Sequence, residues 1–522
     1  MSLSSLVVAN RGEVAIRVMR AAAELGIRTV AVFSEDDARS LHIAKADQAC
    51  ALRGTGAAAY LDIEQIVAVA RQAGCDAIHP GYGFLSENAA FARRCEAEAI
   101  TFVGPRPEIL ELLGDKPRAR SLAERCGVPV LPGTPGPTSV DQAIQFFRSL
   151  GEGAAMVIKA VAGGGGRGMR VVNRLDQIDE AYKRCQSEAQ SAFGNAEVYV
   201  EQMMPRARHV EVQLIGDAAG NVVHLWEREC SIQRRHQKLV EVAPSPGLHP
   251  ELRERLINAG LRMAEAARYD NLGTFEFLVD AGEGNQSAFA FIEANPRLQV
   301  EHTVTEAVTG LDLVKLQLQL AGGRSLAELG LRQADVPEPR GLAIQVRINM
   351  ESMGPDGATR PSGGTLIAFE PPSGPGLRVD SFAYAGYTTN PNFDSLLAKL
   401  IAHSPSPNFT NAAARLYRAL CEFRIEGIST NIGFLQNLVQ HPEFVANRLY
   451  TGFIEDHISE LAPPAGLTHR RLFFQRSDTP RLAGARIDTI DPLAVLDHGK
   501  QPGDALALSA ASGAAPAPPA YE

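Results

Sequence analysis

Over its first 104 residues the chain alternates short apolar runs with amphipathic stretches, and no other feature restricts its fold as tightly. Residues 6–9 form an apolar run. Residues 13–25 carry apolar side chains at helical spacing, and Gly26 follows where a C′ residue belongs. The same reading predicts a strand over 29–33, a helix over 63–73 closed by Gly74, and strands over 76–79 and 101–103. Strand and helix in this rhythm build a parallel, doubly wound sheet. Ligands bind such sheets at the carboxyl ends of their strands. The turns Asn10-Arg11-Gly12 and His79-Pro80-Gly81-Tyr82-Gly83 fall there.

The pattern changes near Asp115, where helices become fewer and strands pair through tight turns. Val210, Val212 and Leu214 alternate with Glu211 and Gln213, and 216–220 turns the chain into 222–226, an antiparallel hairpin. Residues 251–269 form an amphipathic helix with Leu252, Leu256, Met263 and Ala267 on one face. A third region opens with a strand over 342–349 and carries helices over 394–403 and 408–422. The expected architecture is a multidomain α/β and α+β chain. Its parts are an N-terminal parallel-sheet region 1–114, a central region 115–325 and a C-terminal α+β region 338–461. Residues 462–522 read as a linker and a disordered tail, because a stretch so rich in Ala and Pro buries too little apolar surface to offset its chain entropy.

Charge and cysteine usage exclude several classes of function. Lys and Arg number 51 against 60 Asp and Glu, a net −9, which argues against a nucleic-acid backbone or an anionic membrane as the main partner. A small anionic substrate in a local basic pocket stays open. No run reaches the ~18 apolar residues of a membrane helix, and the start lacks the basic region of a signal peptide. The seven cysteines include no CxxC pair and fit free thiols in a reducing, cytoplasmic setting.

The loudest motif is Gly163-Gly164-Gly165-Gly166-Arg167-Gly168. It has the G-x-G-x-x-G spacing, but 169–172 reads as a strand, so the dinucleotide fold is rejected; the GK[ST] ending of a P-loop is also missing. A loop without side chains between strands 156–160 and 169–172 is either a lid of backbone N–H groups over phosphates or a floppy hairpin. Lys159 closes the incoming strand and Lys116 sits in Gly114-Asp115-Lys116; a lysine suits phosphate oxygens, though most lysines are solvated. Glu276 faces away from Phe275 and Phe277, and the two-residue period puts Glu293 and Asn295 on one strand face. Carboxylates with an amide oxygen suit Mg²⁺ or Mn²⁺. Arg297, Gln299 and Glu301 fall at alternate positions and offer a planar cation, an amide and a proton-accepting carboxylate. The cationic run 233–238, and Arg347 beside Gln345 on a polar strand face, are each an anion site or a solvated surface.

Several ordered strings together resemble the biotin carboxylase component of biotin-dependent carboxylases, in the ATP-grasp superfamily. They are ANRGE at 9–13, HPGYGFLSEN at 79–88, GGGGRGMRVV at 163–172, CSIQRRHQKL at 230–239 and NPRLQVEH at 295–302. The resemblance spans roughly residues 3–455 and implies a pre-ATP-grasp domain, an ATP-grasp domain with a lid over 131–203, and a C-terminal domain. It implies that Lys116 and Lys159 bind ATP phosphates and that Gly165, Gly166 and Met169 of the lid bind ATP as well. Glu201 to Met204 would meet adenine, and His209, Gln233 and His236 would line the nucleotide. Glu276, Glu293 and Asn295 would hold two divalent ions. Bicarbonate would sit against Lys238, Arg297, Gln299 and the backbone of Val300, with Glu301 as its base; Arg347 would stabilise the biotin enolate and Tyr82 would lie near biotin. Three strings depart from the family pattern: Asn390-Pro391-Asn392-Phe393-Asp394-Ser395, where Pro-Pro-Tyr-Tyr-Asp-Ser is more usual; 342–346 before Arg347; and 302–305, which has a threonine where many members have proline.

The activity so implied is ATP- and bicarbonate-dependent carboxylation of biotin through carboxyphosphate. Another bicarbonate-phosphorylating ATP-grasp enzyme would use ammonia and ignore biotin, and a non-catalytic binding module would need no bicarbonate base. The implied partners are a biotin carrier, a carboxyltransferase and a second copy of the chain. Biotin is expected as acceptor rather than as a covalent group, since neither Met-Lys nor Lys-Met occurs in the sequence.

Overall fold

The computed structural model describes residues 3–161, 168–281, 288–354, 357–462 and 469–474. The N-terminal apolar runs become the strands β1 (Ser5–Val8), β2 (Arg28–Ser34), β3 (Gln48–Leu52), β4 (Ala77–His79) and β5 (Thr101–Phe102). They lie in the order β3-β2-β1-β4-β5 and every neighbour is parallel. Helix Gly12–Glu24 buries Val14, Ala15, Val18 and Met19, and Gly26 takes φ +71° just after it. The sequence did not announce β3, a largely exposed edge strand with little β-branched or aromatic content. The loop after β4 depends on one glycine. Gly81 has φ +66°, and a Cβ there would stand 2.7 Å from the Asn10 amide. That amide instead donates to the carbonyls of Pro80 at 2.7 Å and Tyr82 at 2.8 Å, which presents Tyr82 at the strand end.

The glycine loop's flanks form an antiparallel sheet, β7-β6-β8, from β6 (Met156–Ala160), β7 (Met169–Val172) and β8 (Val198–Gln202). Its small core packs Met156, Ile158 and Val200 against Ile178 and Cys185 of helix Ile178–Phe193. Gly165 and Gly166 lie outside the described residues, as do the linker at 463–468 and the tail from 475 onward.

The largest sheet has eight strands in the order β13-β12-β9-β10-β11-β14-β19-β18. Its members are β9 (Ala207–Gly216), β10 (Val222–Arg234), β11 (Gln237–Ala243), β12 (Asn271–Asp280), β13 (Phe289–Asn295) and β14 (Leu342–Asn349), with β18 (Leu377–Ser381) and β19 (Leu396–Ser404). Two small pairs complete the strands: β15 (Glu351–Met353) with β16 (Thr359–Pro361), and β17 (Ala368–Glu370) with β20 (Arg424–Glu426). Helix Pro250–Ala266 covers one side of the large sheet, with Leu252, Leu256 and Met263 buried beside Val212, Leu214 and Phe275.

One expectation is corrected. The sequence predicts a helix over 394–403, but Leu396–Ser404 is a strand between β14 and β18. Its run of Leu, Ala and Ile is buried on both faces, and a short, doubly buried apolar run looks alike as helix or strand from periodicity alone. The large sheet also passes without a break from β11 to β14, so residues 338–461 share hydrogen bonds and core with the central region. Among the described residues no helix is long and apolar enough to cross a membrane.

Candidate active site

The alternation in β9 and β10 buries the apolar set on the helix side and turns a row of polar side chains to the other face. Arg228 is fully buried there, paired with the equally buried Glu211; its guanidinium also donates to Gln213 at 2.7 Å and to Thr305 at 3.0 Å. A buried ion pair of this kind is stable only when its remaining hydrogens and lone pairs are satisfied. Here the second Glu211 oxygen accepts from Lys238.

Lys238 is the hub of the site. It enters from β11, just past a two-residue hairpin turn in which Arg235 and His236 take φ +48° and +63°. Its ammonium donates to Glu211, to Glu276 at 2.9 Å and to Glu301 at 2.7 Å. Burial alone would pull this ammonium down, but the three carboxylates outweigh it and hold Lys238 well above the ordinary lysine value. Burial likewise pushes Glu301 up, and Lys238, Arg347 and Arg228 overcome it, holding the carboxyl at about 2. The second Glu301 oxygen accepts from Arg347 at 3.2 Å, and Arg347 is itself held by Glu241 at 2.6 Å. Arg347 is therefore no surface arginine.

Glu276 and Glu293 face each other in the register of β12 and β13. Each Glu276 oxygen already has protein donors: His209 at 2.6 Å on one, and Lys238, Asn295 at 2.7 Å and Gln299 at 3.2 Å on the other. His209 is fixed in turn by Gln233 at 2.6 Å. Glu293 is less enclosed, with Lys116 at 3.6 Å and the Asn295 amide at 3.4 Å. Two carboxylates and an amide match a hard divalent cation. The Asn295 amide now turns its nitrogen to the carboxylates and its oxygen to Arg297, so it would rotate to serve as a ligand. Arg297 donates to Gln299 at 2.9 Å and pairs with Glu87 at 3.2 Å.

The structure thus brings Lys116, His209, Gln233, Lys238, Glu276, Glu293, Asn295, Arg297, Gln299, Glu301 and Arg347 into one connected network. Lys159 and Glu201 form a second cluster with Arg120, which lies 3.2 Å from Glu201. Met169 sits opposite Lys159 in β7, and Met204 follows β8 half-buried. His236 occupies the exposed hairpin tip. Tyr82 donates its hydroxyl to Glu13. Arg297, Gln299 and Glu301 come from an irregular turn, 296–301, that leads into helix His302–Thr309. Sequence reasoning missed Glu211, Arg228, Glu241 and Glu87. Glu211 left a signal as a polar position in an alternating strand, and Glu87 as a member of the string at 79–88.

Comparison with known proteins gives the family of the chain. Residues 115–329 match the family model "Carbamoyl-phosphate synthase L chain, ATP binding domain", which places the chain in the ATP-grasp class. Residues 2–110 match "Biotin carboxylase, N-terminal domain" and 345–456 match "Biotin carboxylase C-terminal domain". The biotin carboxylase domain of Hydrogenobacter thermophilus 2-oxoglutarate carboxylase, a dimer solved with MgADP, ADP and bicarbonate, superposes with a TM-score of 0.83. It is 40% identical, over 88% of this chain and 99% of that one. Campylobacter jejuni biotin carboxylase gives 0.82 at 38% identity, over 87% and 99%. Bacillus subtilis pyruvate carboxylase is 48% identical over 87% of this chain and 39% of its own length. The human mitochondrial pyruvate carboxylase is 46% identical over 90% and 40%. The chain belongs to the biotin carboxylase family, and it spans about 40% of the length of these curated relatives.

Proposed function

We propose that the chain carboxylates biotin at the expense of ATP and bicarbonate through carboxyphosphate, the first half-reaction of a larger carboxylase. The observation that carries this reading is Glu301 fixed between Lys238 and Arg347, beside Arg297 and Gln299. A bicarbonate set against Lys238, Arg297, Gln299 and the backbone of Val300 would take up part of the Lys238 charge. Glu301, now held at about 2, would then regain the basicity to accept the bicarbonate proton.

Lys116 and Lys159, paired with Glu293 and Glu201, would exchange those carboxylates for phosphate oxygens. Gly165, Gly166 and Met169 would close over them. Glu201 and Met204 would border the base, and His209, Gln233 and His236 the rest of the nucleotide. Mg²⁺ or Mn²⁺, two ions held by Glu276, Glu293 and Asn295, would neutralise charge on the transferring phosphoryl group. Arg347, oriented by Glu241, would stabilise the enolate of biotin, with Tyr82 at the edge of its pocket. The carrier and the carboxyltransferase would be other parts of the assembly, and the chain would pair with a second copy, as the H. thermophilus domain does.

The test is ADP release by the full chain with bicarbonate, with and without free biotin. Bicarbonate dependence accelerated by biotin is expected, and equal release with and without biotin would overturn the reading. The description of the central family model favours one other reading, an ammonia-dependent carbamoyl-phosphate synthase half. Adding ammonia to the same assay separates the two, because that enzyme would respond to ammonia and not to biotin.

A further inference from the structure

We propose that Lys399 is a positioning residue of the anion site: its ammonium holds the Val300 carbonyl, and with it the peptide that leads into Glu301. The inference rests on the bicarbonate reading above.

Lys399 lies in the middle of β19 and is 0% exposed. A lysine is almost never fully buried without partners. This one reaches three separate segments. It donates to the Val300 carbonyl at 3.1 Å, makes an ion pair with Glu13 of helix Gly12–Glu24 at 3.0 Å, and lies 3.8 Å from Asp380 of β18. Asp380 is already gripped by both guanidinium arms of Arg378, at 2.9 and 2.7 Å. Glu13 spends its other oxygen on the Tyr82 hydroxyl. Among the described residues, the Val300 carbonyl is the main-chain group this buried charge holds.

That carbonyl belongs to the planar peptide whose nitrogen is Glu301's own. The turn around it is irregular, and Glu301 starts the following helix without a side-chain cap. The main-chain hydrogen bonds next to it are long, 3.3 Å for both His302 N to Gln299 O and Val304 N to Glu301 O, while the 2.8 Å bonds of the turn, Arg297 N to Asn295 O and His302 Nδ1 to Gln299 O, leave the Val300 carbonyl untouched. A charged donor on the preceding carbonyl adds an orientation at the peptide that those bonds do not reach. Through Glu13 the same ammonium also bears on the Tyr82 loop.

The experiment compares the full-length wild type, Lys399→Met and the double variant Glu13→Gln/Lys399→Met. It measures the bicarbonate KM of ADP release, Mg·ATP affinity by equilibrium binding, and the melting temperature. Lys399→Met strands a buried carboxylate at Glu13 and is expected to melt lower; neutralising Glu13 in the double variant recovers much of that loss. Both variants are expected to raise the bicarbonate KM by about ten-fold, the scale of one lost charge-assisted hydrogen bond, with Mg·ATP affinity within about two-fold of wild type. A bicarbonate KM that returns to the wild-type value together with the melting temperature would show Lys399 to be structural only and overturn the proposal, as would ATP affinity falling in parallel with the KM effect. A wild type without bicarbonate dependence would instead sink the functional reading beneath it.

Discussion

Glu301 spends both of its oxygens on cations, Lys238 at 2.7 Å and Arg347 at 3.2 Å, so its charge is secured before any substrate arrives. Glu301→Gln keeps the shape and removes the proton acceptor. It is expected to lower bicarbonate-dependent ADP release by ~10²–10⁴-fold while Mg·ATP still binds, as single-turnover and equilibrium-binding measurements will check. The same carboxyl carries a pH signature. Its value falls from an ordinary 4.5 to about 2 on folding, so its contribution to stability is complete above the ordinary value and fades as pH drops toward about 2. Lys238→Met leaves Glu211, Glu276 and Glu301 without their shared ammonium. Breaking a buried pair in this way costs about 3–5 kcal/mol. Denaturant titrations should show that loss near neutral pH, shrinking as the pH falls and the stranded carboxylates protonate. Two of the departures from the family pattern meet at this scale as well: the Thr303 hydroxyl donates to Gln345, whose amide donates to Glu241 at 2.9 Å, the residue that holds Arg347.

At the scale of elements, the pairing of β12 with β13 sets Glu276 opposite Glu293 and gives the two carboxylates unequal surroundings. Glu276 is fully engaged by protein donors, whereas Glu293 has a cation only at 3.6 Å. Glu293→Gln is therefore expected to raise the Mg²⁺ concentration for half-maximal ADP release more than Glu276→Gln does. A Mg²⁺ titration of activity decides it, with an equal or reversed ranking counting against Glu293 as the main ligand. The tight β10–β11 hairpin has a similar consequence. It runs Gln233, Arg234, Gln237 and Lys238 as facing pairs, so a run that reads as one basic patch is split. Gln233 and Lys238 turn into the site, Arg234 pairs with Glu351, and Arg235 and His236 are left at the tip.

For the whole molecule, the decisive fact is that the eight-stranded sheet runs through the boundary the sequence suggested near residue 338. β14 bonds to β11 in register Val240–Val346 and Val242–Ile344, and Ile232, Leu239, Val240 and Val242 share one core with Leu400, Leu416 and Leu435. A fragment covering 338–474 would expose the β14 edge and lose part of that core. It is expected not to fold cooperatively alone. Near-UV circular dichroism and denaturant titration against the full chain will show this, and a sharp two-state transition of the fragment would contradict it.

The sequence alone determined four of the five strands of the N-terminal parallel sheet, all but the edge strand β3, because apolar runs and glycine-stopped helices encode them locally. It also determined the hairpin around the glycine loop and the composition of the polar cluster, since Glu276, Glu293, Asn295, Arg297 and Glu301 lie close together in the chain. Only the tertiary structure decided which charge meets which. Lys238 reaches Glu211 and Glu301 across 27 and 63 residues, and Arg347 finds Glu241 across 106. Such pairings follow from strand order, which no local pattern records. The strand Leu396–Ser404 is hidden from the sequence for the same reason: a run buried on both faces has no periodicity to show, and only its neighbours β14 and β18 make it a strand.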